Sequence, residues 1–99
     1  MKILFSKYQG TGNDFIIIDN REMQFNRNNN ALVAKLCNRR FGIGGDGLML
    51  LQTKIGYDFE MVYYNSDGNE SSMCGNGGRC IVEFARTLGL VKTKAHFLA

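Results

Sequence analysis

The stretch Met73-Cys74-Gly75-Asn76-Gly77-Gly78-Arg79-Cys80 sets a cysteine directly before a glycine-rich turn, and an apolar helical pattern follows at once. Ile81, Val82, Phe84, Ala85 and Leu88 predict a helix over 77–88, with Gly89 as its C-terminal stop. A helix apolar on most sides should be buried, and sheet wrapped around it would meet that need. The start of a helix also stabilises negative charge, through first-turn N–H groups and the positive end of the dipole. Cys74 is therefore placed where a thiolate is favoured. Glycines at 75, 77 and 78 would let a carboxylate approach the same amides. A buried structural cysteine ahead of an ordinary loop fits the spacing too, and the spacing alone leaves both readings open.

Upstream of this stretch, strands and helices alternate. Segments 3–8 and 15–19 are rich in β-branched and aromatic residues and are separated by a Gly-Thr-Gly-Asn turn. Residues 31–40 put Leu32, Val33, Leu36 and Cys37 on one helical face, which makes Cys37 a core thiol, and Asn30 is the candidate N-cap. A turn-rich loop over 42–47 precedes a short buried strand over 48–52. Segment 58–65 alternates Phe59, Met61 and Tyr63 against Glu60 and Val62, the pattern of a half-buried strand. Asn65-Ser66-Asp67-Gly68 then supplies turn chemistry. The class is α+β.

Composition narrows the function classes. At 99 residues, 44% hydrophobic and 21% charged, the chain fits one ordinary globular unit. A net charge of +3 with scattered basic residues gives no nucleic-acid footprint. No apolar run approaches the ~20 residues of a membrane helix, and the start lacks a signal-peptide pattern. Three cysteines form no disulfide framework and suit a reducing, cytoplasmic setting. No second cysteine pair or nearby histidine completes a zinc site, so no metal is expected. His96, the lone histidine, reads as a surface or interface residue rather than a base. Cys80 would lie ~9 Å along the helix from Cys74, away from the activating amides, and reads as a packed thiol.

Three motifs, taken together, carry a resemblance. Gly10-Thr11-Gly12-Asn13-Asp14-Phe15-Ile16, Phe41-Gly42-Ile43-Gly44-Gly45-Asp46-Gly47, and Tyr63-Tyr64-Asn65-Ser66-Asp67-Gly68-Asn69-Glu70 running into Met73–Cys80 occur in the order found in diaminopimelate epimerases. The chain resembles that family over essentially its whole length, with Tyr64 where the family often has Phe. The resemblance implies a mixed β-sheet wrapped around a central apolar helix. It also implies two similar lobes with the active site between them, each lobe giving one cysteine. Residues 1–99 would then be the N-terminal lobe, incomplete and without the second lobe. A homodimer is compatible with the apolar edges such a lobe would leave.

The activity implied is cofactor-independent interconversion of LL- and meso-diaminopimelate, in the making of lysine and peptidoglycan precursors. One thiolate removes the α-proton and one thiol returns a proton to the opposite face. Carried over by position, Cys74 matches the first acid/base cysteine. Gly75 and Asn76 match the amides that hold the reacting carboxylate, and Asn13 and Asn65 match substrate-binding asparagines. Without the family, both asparagines would read as turn residues. Gly47 departs from members that carry a glutamine there. Arg79 suits either carboxylate binding or a helix-surface salt bridge, and Asp14, Asp46 and Asp67 read as loop braces. Proline racemases typically follow their cysteine with Gly-His where this chain has Gly-Asn, and the phenazine-biosynthesis relatives lack this acid/base cysteine. With one cysteine of two, the isolated chain is expected to be inactive, leaving folding, pairing or weak binding as its own properties.

Overall fold

The computed structural model describes residues 3–10, 12–72, 75–92 and 94–99. Its elements run β1 (Ser6–Gly10), β2 (Asn13–Asp19), α1 (Asn30–Cys37), β3 (Gly47–Gln52), β4 (Phe59–Asn65), β5 (Glu70–Ser71), α2 (Gly75–Thr87) and β6 (Phe97–Leu98). The strands form one mixed sheet in the order β1-β2-β3-β4-β5, with β6 paired to β4. β2 and β3 are parallel, joined by the connection that contains α1, while β1–β2, β3–β4 and β4–β5 are antiparallel.

The sheet is covered on both faces. Phe15, Ile17, Met49, Leu51, Phe59 and Met61 face α2, against Cys80, Ile81, Phe84 and Ala85. Ile16, Ile18, Leu48, Leu50, Val62 and Tyr64 face the other way, against Phe25 and against Val33 and Cys37 of α1. That explains the unbroken apolar runs in β2 and β3: a strand buried on both faces has no polar alternation to show. Each fully buried Ile or Leu contributes about 1.5–3 kcal/mol through removal from water.

Several sequence expectations change here. β4 is buried on both faces rather than half-buried, since Val62 and Tyr64 fill the α1 side. α2 buries one broad stripe and leaves Arg79, Glu83 and Arg86 exposed, so it is amphipathic rather than apolar on most sides. The N-cap of α1 is Asn29, whose side chain accepts from the Leu32 N–H at 3.2 Å. The Asn30 side chain instead donates to the Gly68 carbonyl at 2.7 Å, drawn off by the turn after β4. α1 also ends at Cys37 rather than at 40. There the Asn38 side chain takes the N–H groups of Arg40 and Phe41 at 2.9 and 3.0 Å, an Asx turn that competes with the helix. At the end of α2, Gly89 (φ 78°) lets the Leu90 N–H reach back to the Ala85 carbonyl at 3.0 Å, the expected stop.

Candidate active site

One end of the sheet gathers the functional candidates. β2 begins there at Asn13, β3 at Gly47, β4 finishes at Asn65, and α2 starts at Gly75. Phe15, Gly47 and Asn65 lie in one register row across β2, β3 and β4. The β1–β2 hairpin reaches over to α2: a Cβ built on Gly10 would lie 3.1 Å from the Asn76 Cβ. This approach lets the Asn76 side-chain amide donate to the Asn13 side-chain oxygen, Oδ1, at 2.9 Å. Arg79, one turn along α2, donates to the Asn76 Oδ1. The expected surface salt bridge of Arg79 is not made among the described residues.

Asn13 and Asn76 are thus brought into contact. Asn65 sits at the same end, one strand beyond Gly47, and its backbone closes the turn through Gly68 and Asn69. Gly75 opens α2 with open space where a side chain would stand. Cys74 lies outside the described residues. Gly47 is fully buried between strands, and an added Cβ would meet the Tyr64 carbonyl oxygen and the Tyr63 hydroxyl at 2.9 Å. As packed here, the position leaves no room for a side chain unless the neighbouring strand or the Tyr63 ring shifts.

A charged network lies beneath the hairpin. Arg39 clamps the Asp14 carboxylate with bonds of 3.0 and 2.7 Å and also holds Asp46 at 3.0 Å. Lys7 adds a 2.9 Å ion pair to Asp14 and donates to the Gly44 carbonyl. The backbone N–H of Asp46 donates to the Asp14 carbonyl at 2.8 Å, and that of Asp14 donates to the Asp46 carboxylate at 3.1 Å. Asp14 and Asp46 therefore brace the β1–β2 and α1–β3 loops, as the sequence suggested. Asp67 does the same locally, accepting from the Asn69 backbone at 2.9 Å. Arg39 was not singled out from sequence. Its partners lie 25 and 7 residues away, and no local pattern marks it.

The Arg39 guanidinium, followed by the Lys7 ammonium, holds the Asp14 carboxyl well below the ordinary carboxylate range. Because the folded-state pKa is depressed, its stabilisation is present above the unfolded value near 4 and fades as pH falls through the folded value. Melting temperature should therefore fall from about pH 4 downward, and Asp14→Asn should melt lower at pH 7 yet lose less on acidification. Thermal scans of both proteins between neutral pH and the acid limit check this.

Cys37 and Cys80 are buried, as expected of core thiols. Burial pushes the Cys37 thiol up to about 11, so it is neutral and inert at physiological pH. His96 is exposed, with its ring tilted against Tyr57 at a centroid separation of 4.7 Å. A cleft of about 420 Å³ is lined by Lys7, Asn13, Asp14, Arg39 and Asp46. A second cleft, of about 940 Å³, lies at the opposite end of β2, around Asn20 and Phe25, and is remote from these groups.

Residues 5–98 match the model of the family described as diaminopimelate epimerase. The chain belongs to that family. A diaminopimelate epimerase of Flavobacterium psychrophilum is 64% identical over 93 residues, covering 94% of this chain and 36% of the relative. One from Alkaliphilus metalliredigens is 49% identical, covering 93% and 32%. The chain thus spans about a third of the length of the curated relatives it matches. Its fold is similar to a methylitaconate-delta-isomerase (TM-score 0.71, 14% identity, 95% of this chain and 29% of that one). It is also similar to a phenazine-biosynthesis protein of the PhzF family from Bacillus anthracis (TM-score 0.64, 18% identity, 97% and 31%). These likenesses confirm the α+β class and extend the shared fold beyond the epimerases. No helix among the described residues is long and apolar enough to cross a membrane.

Proposed function

We propose that residues 1–99 are the N-terminal lobe of a diaminopimelate epimerase and that Cys74 is one of its two proton carriers. The observation that carries the reading is the 2.9 Å Asn76–Asn13 bond, which ties the Gly-Asn-Asp motif to the first turn of the helix that follows Cys74. A cysteine just ahead of that turn has a stabilised thiolate without losing access to the thiol, since an unperturbed thiol has a pKa of about 8.5. Both states are needed by a group that removes a proton in one direction and supplies it in the other. The first-turn N–H groups at Gly75 and Asn76 bind the carboxylate of the substrate and carry the charge that builds on it as the α-proton leaves. Asn13 and Asn65 bind and orient the remainder of the substrate through side-chain amides, which both donate and accept. No cofactor takes part, and the opposite face is served by a thiol from the second lobe, in a cytoplasmic enzyme.

A chimera tests this: the chain replaces the corresponding third of the Flavobacterium psychrophilum relative. It is expected to interconvert LL- and meso-diaminopimelate with kcat within about tenfold of the parent, a difference of about 1.4 kcal/mol in barrier. The 99-residue chain alone should give no conversion. A folded chimera without turnover would refute the proposal.

A further inference from the structure

We infer that Asp46 is a positioning residue, which fixes the orientation of the Asn13 side-chain amide and through it that of Asn76 at the start of α2. The inference rests on the epimerase reading for its effect on substrate, but its geometry stands independently. The Asp46 Oδ2 accepts from the Asn13 Nδ2 at 3.3 Å and from the Asp14 N–H at 3.1 Å, while its Oδ1 accepts from Arg39. An ionised carboxylate can only accept, so the Asn13 NH₂ must face it. The Asn13 Oδ1 is thereby turned toward α2, where it takes the Asn76 Nδ2 at 2.9 Å. At the far end Arg79, a pure donor, holds the Asn76 Oδ1.

The two amides are consequently polarised in one direction between an acceptor-only group on the α1–β3 loop and a donor-only group on α2. Flipping either amide would set like against like at both of its ends, at the cost of two hydrogen bonds. Asp46 is also held by two hydrogen bonds with the Asp14 backbone, its own N–H to the Asp14 carbonyl and the Asp14 N–H to its Oδ2, so its carboxylate keeps its place without Arg39. Asn13 then keeps its second N–H as a defined donor edge for a substrate, with its oxygen turned toward Asn76. The site selects an acceptor group, such as a carboxylate oxygen, at that edge.

Two measurements decide it. In the chimera, Asp46→Ala should raise KM for diaminopimelate about tenfold, the worth of one charge-assisted hydrogen bond. In an Asn13→Ala background the same change should raise KM no further, because Asp46 acts through Asn13. Arg39→Met removes the ion pair but leaves the acceptor of Asn13, and should lower the melting temperature with KM changed less than about threefold. An equal KM effect of Asp46→Ala with and without Asn13 would overturn the inference. In the 99-residue chain, the near-isosteric Asp46→Asn should shift the Asn76 side-chain NH₂ resonances, beyond its own neighbour Asn13, and Arg39→Met should not. An Asn76 amide that ignores Asp46→Asn would equally overturn it. An inactive wild-type chimera would refute the epimerase reading, while the resonance test would still decide the role of Asp46.

Discussion

Cys74→Ser in the chimera should lower kcat in both directions by about 10²–10⁴-fold, the usual worth of a positioned acid or base, with KM changed only a few-fold. Serine preserves size and hydrogen bonding but holds its proton far too tightly to serve as a base near neutral pH. A loss in kcat with KM nearly kept marks a group that acts in the transition state rather than in ground-state binding. Cys80→Ser provides the contrast. Cys80 is 5% exposed and packs in the cluster between sheet and α2. Its change should lower stability, by about 1–3 kcal/mol for a buried hydroxyl, while kcat falls less than about threefold. Steady-state kinetics and urea melts of the two variants separate the roles.

Gly68→Ala should be the most destabilising small substitution in the turn that follows Asn65. The residue has φ 92°, and an added Cβ would lie 2.3 Å from the Asn30 carbonyl oxygen and 3.1 Å from the Ala34 Cβ. The positive φ alone costs about 1–2 kcal/mol for a residue with a Cβ. Contact at 2.3 Å with backbone of α1 cannot be relieved by a side-chain rotation, so the total should reach about 3 kcal/mol or more. Gly89 calibrates the conformational part: φ is 78° and nothing lies within 4 Å, so Gly89→Ala should cost only about 1–2 kcal/mol. Urea denaturation of both variants gives the two values, and equal losses would show that the approach of the turn to α1 is not what demands glycine. The turn matters for the site because Asn30 and Gly68 tie α1 to the end of β4, where Asn65 stands.

What the sequence revealed, and what it hid, follows from the range of the interactions. β2, β3, α1 and α2 were legible because apolar content and helical spacing are local. β4 was misjudged because Glu60 gave it an alternating look, while Tyr64, a residue with a polar tip, is fully buried with its hydroxyl on the Arg27 carbonyl. β5 and β6, two residues each, have no periodicity to read. β6 is held by partners far away, with Phe97 stacked on Phe59 at 4.7 Å and Asp58 bonded to the backbone of His96. At the candidate site, Asn13, Asn65, Gly75 and Asn76 came from the family motifs rather than from propensity. The contact between Asn13 and Asn76 spans 63 residues, and the role of Arg39 depends on a loop bringing Asp14 beside Asp46. Neither could be read from spacing.

The most direct test of Cys74 as a proton carrier is α-hydrogen exchange in D₂O, followed by NMR, with the wild-type chimera and its Cys74→Ser variant side by side. Deuterium is expected at the product α-carbon with the wild type, and exchange should be lost from at least one of the two epimers once the base on that face is gone. Exchange from both LL- and meso-diaminopimelate at wild-type rates in Cys74→Ser would contradict that role.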